Sequence, residues 1–106
     1  MQRSISIVGR RWFDSYYGNT YNTVTISVQF TGEGERFRNG IGGFYRELPM
    51  EYGYGDSYEA RALGWLRDNL PAWRNNHNRS YGSEFARNND WHYHCYAQDV
   101  DRKRDL

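Results

Sequence analysis

Thr23-Val24-Thr25-Ile26-Ser27-Val28-Gln29-Phe30 alternates without a break. Val24, Ile26, Val28 and Phe30 share one side of an extended chain, and Thr23, Thr25, Ser27 and Gln29 share the other. That period of two is the mark of a strand with one face on a core and one face away from it. Upstream, Ile5, Ile7 and Val8 read as an earlier strand running into Gly9-Arg10-Arg11-Trp12-Phe13, with a turn signal at Gly18-Asn19-Thr20. The two strands, roughly 3–10 and 21–30, form a β-hairpin. Its connection carries Arg10, Arg11, Trp12, Phe13, Tyr16, Tyr17 and Tyr21. Turning the chain needs no such load, so the reading is a binding surface.

Downstream, residues 31–43 are punctuated by glycines, and a short third strand is read at Glu35–Arg38 or Ile41–Arg46. Pro49 and Gly53-Tyr54-Gly55 mark a loop. Asp56 with Glu59 three residues on has the form of a capping box. Ala62, Leu63, Leu66 and Leu70 then recur at helical spacing, with Ser57, Arg61, Gly64 and Asp68 as the opposite stripe. Asn69 and Pro71 end a helix of about fourteen residues. Residues 72–90 read as a long asparagine-rich loop with a helical turn at Ser83–Arg87. Trp91 to Val100 reads as a last strand that returns beside an early one, followed by a charged tail over 101–106. The fold class is therefore α+β: a single domain over 1–106, with a small antiparallel sheet of three to four strands and one main helix on one face, in the order β-β-(β)-α-β.

The 106 residues allow one modest core. Mean hydropathy is −1.03, and aromatic side chains make up 18% of the chain, so rings must supply much of the buried area. Self-association, as a homo-oligomer, is a further route to stability for so polar a chain. The formal net charge is +1, which gives no bulk basic field. Of the 14 basic residues, all but Lys103 are arginine. Arginine pairs bidentately with phosphate and stacks on rings, although genomic base composition explains the excess equally well. Cys95 is the sole cysteine, so no intramolecular disulfide forms. No stretch has the apolar length of a membrane span, and the N-terminus lacks a signal-peptide run; the expectation is a soluble protein of the cytoplasm.

Arg10 and Arg11 are read as phosphate-holding groups, with Trp12, Tyr16, Tyr17 and Tyr21 as stacking surfaces and Asn19 beside them. Tyr54, Tyr58 and Arg61 near the helix start are read as second walls. The competing reading folds Trp12 and Phe13 into a satellite core. Rings and arginines at a hairpin tip also suit protein docking. In a strand His92 and His94 share a face while Cys95 points the other way, which spoils a metal set, so no metal and no cofactor is expected. No paired carboxylates or nucleophile–base arrangement is visible, and no catalytic residue is assigned. Aspartates interleave with the terminal Arg102-Lys103-Arg104 run and largely cancel its charge.

Gly9-Arg10-Arg11-Trp12-Phe13 with Gly18-Asn19-Thr20-Tyr21, the Gly53-Tyr54-Gly55-Asp56-Ser57-Tyr58 helix entry and the closing Arg102-Lys103-Arg104-Asp105-Leu106 resemble a group of small uncharacterised bacteriophage proteins. The resemblance implies a viral origin and a setting in the host cytoplasm. The function expected from it is that of a non-enzymatic accessory protein acting in counter-defence or host takeover. Its favoured ligand is a nucleotide signal or nucleic acid. The alternative is a protein-docking inhibitor of a host defence complex such as a CRISPR effector, and a metal-dependent enzyme stands behind both.

Overall fold

In a computed structural model, residues 2–31, 43–70, 73–74 and 82–106 are described. The elements are β1 (Gln2–Asp14), β2 (Asn19–Thr31), β3 (Gly43–Tyr52), α1 (Ser57–Asn69), α2 (Gly82–Asn88) and β4 (His92–Val100), with a 3-10 turn at Lys103–Asp105. The strands form one four-stranded sheet in the order β3-β2-β1-β4. This is the expected α+β class, with two corrections to the expected antiparallel sheet and single main helix. The sheet is mixed: β1–β2 and β2–β3 are antiparallel, but β4 runs parallel to β1. A parallel neighbour needs a long crossover, and α1 and α2 supply it. The asparagine-rich stretch also contains a full helix, α2, where a single turn was expected.

The hairpin is longer than its sequence suggests. β1 and β2 have 13 residues each and pair from Gln2↔Thr31 to Asp14↔Asn19. Arg10, Arg11, Trp12 and Phe13 are therefore strand residues, not a connection. The turn itself is only Ser15–Gly18. It is closed by the Gly18 N–H on the Asp14 carbonyl (2.7 Å) and by the Tyr16 N–H on Asp14 Oδ1 (3.0 Å). The third strand lies later than expected and includes Pro49; an edge strand tolerates a residue with no N–H, particularly beside a bulge such as the register shift between Asn22 and Val24. The Glu35–Arg38 alternative lies outside the described residues.

Period-two burial sets the layers. Ile5 and Ile7 from β1 and Val24, Ile26 and Val28 from β2 are sealed against Ala62, Leu63 and Leu66 of α1 and Leu70 at its C-cap. The Phe30 side chain lies outside the described set. Full burial of each such aliphatic side chain contributes about 1.5–3 kcal/mol. The rings expected in the core arrive mainly from beyond the hairpin. Trp73 is fully buried, 4.8 Å from Phe85, 5.8 Å from Trp91 and 6.3 Å from Tyr93 between ring centroids. Gly9 lies under the Tyr58 ring, where a β-carbon would sit 2.3 Å from ring atoms.

The capping box does not form. Asp56 occupies the N-cap position without a side-chain cap hydrogen bond, and Glu59 instead accepts from the Tyr93 hydroxyl. The stripe expected to face away from the core is engaged as well: Gly64 is buried, and Ser57 and Arg61 are half-buried against β2. Their partner is Asn22, a fully buried polar residue of the sheet. Its Nδ2 donates to the Gly53 carbonyl (3.1 Å) and to Ser57 Oγ (2.7 Å). Its Oδ1 accepts from Arg61 Nη1 (2.6 Å). Among the described residues no helix is long and apolar enough to cross a membrane.

Candidate functional site: the open face of the sheet

Both helices pack on one side of the sheet, since Ala62, Leu63 and Leu66 of α1 and Ala86 of α2 share one core with Ile5, Ile7, Val24, Ile26 and Val28. Among the described residues neither helix lies on the other side. The register identifies what that open face displays. Running from β2 across β1 to β4, its rows are Gln29–Ser4–His92, Ser27–Ser6–His94, Thr25–Val8–Tyr96, Thr23–Arg10–Gln98 and Tyr21–Trp12–Val100. On the far side of β2, Tyr45 extends the second row, Glu47 the third and Tyr52 the last. The platform is a carpet of short hydroxyl side chains bordered by flat rings. Its long axis covers eight residue steps, about 26 Å at the usual strand rise.

Adjacent residues in a strand point to opposite faces, so the two arginines read as one phosphate grip are separated. Arg10 stands exposed on the open face, and among the described residues its guanidinium has no ion-pair or hydrogen-bond partner. It borders a shallow hollow with Thr23, Thr25, Glu47, Pro49 and Leu106. Arg11 points to the helix side. Its Nε donates to Asp99 Oδ1 at 2.7 Å and its Nη1 to the Gly55 carbonyl at 3.1 Å. Donating this hydrogen bond to Asp99 raises the Arg11 pKa above its ordinary value. Arg11 is thus occupied in fastening the β1–β4 end of the sheet to the loop before α1.

Trp12 and Tyr21 do share the open face, with their rings stacked at 5.9 Å and an interplanar angle of 26°. Tyr52 meets Tyr21 edge-on at 6.1 Å, and Tyr54 meets Tyr52 at 6.4 Å. Trp12, Tyr21, Tyr52 and Tyr54 therefore make a continuous aromatic line at one end of the platform. Tyr16 and Tyr17 stand apart at the hairpin tip, 85% and 71% exposed, edge to face at 4.7 Å. Asn19 opens β2 opposite Asp14, next to that tip.

Two expected walls belong to the body of the protein. Tyr58 is buried over Gly9, on the opposite side of the sheet from Arg10. Arg61 is spent on Asn22, on the Pro49 carbonyl (2.6 Å) and on Glu51 (3.0 Å). Burial lowers its pKa, while the charge of Glu51 acts the other way. Gly53 is there for packing against Ser57 and Asn22, not for ligand approach: a β-carbon would lie 2.1 Å from Ser57 Oγ.

His92, His94 and Tyr96 are exposed on the open face, and Cys95 is half-buried on the other. The Cys95 thiol lies 3.7 Å from the Tyr58 hydroxyl. Burial pushes its pKa up to about 11, which makes it a poor nucleophile at neutral pH. Among the described residues no group of His, Cys, Asp and Glu is placed to hold a metal ion. Tyr96 and Gln98 belong to the platform although the sequence did not single them out. The signal was their alternation with Tyr93, Cys95 and Ala97; what was missing was the pairing of β4 beside β1. The chain matches no protein-family model, no curated protein and no solved structure.

Proposed function

We propose that the protein is a non-enzymatic binding module that holds a single-stranded nucleic acid on the open face of its sheet. In this reading Arg10 takes a phosphate, and Trp12, Tyr21 and Tyr96 offer ring faces to unstacked bases. The hydroxyl rows of β1 and β2 and the Gln98 amide serve as hydrogen-bonding partners for base edges. The observation that carries the reading is Arg10. It is an arginine that has no partner among the described residues, exposed on the sheet face opposite the helices and one row from the stacked Trp12–Tyr21 pair. A four-stranded sheet with rings on its open face is a known way to stack bases. An elongated shallow platform suits an extended strand better than a compact nucleotide signal, which needs a pocket that encloses most of it. In keeping with the bacteriophage resemblance, the setting we infer is host takeover or counter-defence in the host cytoplasm.

Fluorescence anisotropy with labelled single-stranded DNA and RNA twelve-mers at low salt tests this, with duplex DNA and cyclic dinucleotides alongside. Single strands are expected to bind most tightly. Trp12→Ala or Tyr96→Ala is expected to weaken them about ten-fold, within the roughly 1–3 kcal/mol per stacked base. No single-strand binding at low salt, or full affinity in both ring variants, overturns the reading.

A second reading rests on the hairpin tip. The exposed Tyr16–Tyr17 pair with the exposed Phe13 has no role in the core. Such rings suit anchoring to a host defence protein. Loss of a co-purifying partner from infected cells on Tyr16→Ser with Tyr17→Ser, with oligonucleotide binding unchanged, favours it over the first.

A further inference from the structure

The two edges of the sheet are built differently. β3 is blunted against pairing. It carries Arg46, Glu47 and Glu51, its Pro49 has no N–H, and the Pro49 carbonyl is already taken by Arg61 at 2.6 Å. Charges and proline at an edge are the usual protection against strand addition. β4 has none of these. His92–Val100 contains no Pro, Gly, Lys or Arg over 9 residues, and its one charged side chain, Asp99, is paired with Arg11 of its own chain. Among the described residues no strand pairs with the outer edge of β4.

From this asymmetry we infer that the outer edge of β4 pairs antiparallel with β4 of a second copy, joining two sheets into one of eight strands. A strand edge of this kind is complementary to its own copy. Each unused N–H and C=O row meets the same row reversed, and no like charges meet across a near-neutral strand. One register engages all nine residues. Its two-fold axis passes at Tyr96, so that His94 lies opposite Gln98 of the second copy and His92 opposite its Val100. Even-numbered residues then meet even-numbered ones, and both open faces fall on the same side. His92, His94 and Tyr96 of both copies form the middle of a doubled platform. An edge pair of this length buries less than the roughly 800 Å² per partner of a standard interface, so the dimer is concentration-dependent in the micromolar range. The pairing stands on the edge alone and does not rest on the nucleic-acid reading.

Sedimentation equilibrium and native mass spectrometry on the whole chain, without nucleic acid, test it between 1 and 200 μM. The mass is expected to rise toward twice 12.7 kDa. His94→Lys with Gln98→Lys sets like charges opposite each other across the axis and is expected to raise the dimer dissociation constant at least ten-fold. His94→Glu with Gln98→Lys sets opposite charges there and is expected to restore the dimer. A second measurement covers misfolding of the lysine pair. Tyr96→Cys in a Cys95→Ala background brings two thiols together on the axis, where antiparallel Cα spacing falls within disulfide range, and is expected to yield a covalent dimer under mild oxidation. A chain that stays monomeric at 200 μM, a dimer indifferent to both charge pairs, or a Tyr96→Cys variant that does not cross-link overturns the inference.

Discussion

Arg10 and Arg11 are neighbours in sequence with opposite fates, and the difference is measurable. Arg10→Ala is expected to reduce oligonucleotide affinity several-fold and to flatten its salt dependence, because one phosphate contact is lost. It is expected to leave thermal stability within about 0.5 kcal/mol, as for an exposed side chain away from the core. Arg11→Ala is expected to do the reverse: affinity holds, and stability falls by up to about 1 kcal/mol, since Asp99 is largely exposed and screened. Paired binding isotherms and urea melts read both. Gly9 gives a sharper case. An added methyl would collide with the Tyr58 ring at 2.3 Å, and the ring is held between sheet and helix. Gly9→Ala is expected to lower stability by about 1–3 kcal/mol, as overpacking does. Gly9→Ala combined with Tyr58→Leu is expected to recover part of that loss in the same melts.

At the scale of elements, α1 is held on the sheet by a polar joint as well as by its leucines. Asn22 ties the bulged part of β2 to Gly53, Ser57 and Arg61 at once. Asn22→Leu would remove one acceptor of the Arg61 guanidinium, which keeps Pro49 and Glu51, and would take from the Ser57 hydroxyl and the Gly53 carbonyl their donor; losing partners for part-buried polar groups costs about 1–3 kcal/mol. The expected outcome is a fall of that size in urea stability, with faster amide exchange in the first turn of α1. Substitution of Ser57 by Ala removes only one of these bonds and is expected to cost less. This joint also explains why Ser57 and Arg61, on the stripe opposite the leucines, are taken up by the body of the protein. Helical periodicity shows which residues are apolar, but not that a sheet asparagine waits beneath the polar ones.

At the scale of the molecule, three groups with dissociable protons lie between sheet and helices, Tyr58 buried and Tyr93 and Cys95 half-buried. Burial pushes the Cys95 thiol up to about 11 and raises the Tyr58 and Tyr93 hydroxyls, the latter held also by Glu59. Each group keeps its proton more firmly folded than unfolded. Above the ordinary thiol value the unfolded chain therefore binds fewer protons, and stability falls as pH rises. Below about pH 9 these groups cost nothing; between about pH 9 and 11 the melting temperature is expected to drop, and absorbance at 295 nm is expected to show at least two tyrosines ionising only as the fold is lost. The sequence by itself determined the hairpin, the leucine face of α1, the last strand and the α+β class, because burial on one side imprints periods of two and 3.6 on local composition. It also held the separation of His92 and His94 from Cys95, for the same reason of alternation. Only the tertiary structure decided that Arg10–Phe13 lie within a paired strand, that Arg11, Tyr58 and Arg61 serve the body, that β4 runs parallel to β1, and that Tyr96 and Gln98 join Arg10 on one platform. Those outcomes depend on which strands become neighbours and where helices dock. Such contacts join residues far apart in the chain and leave no periodic trace along it.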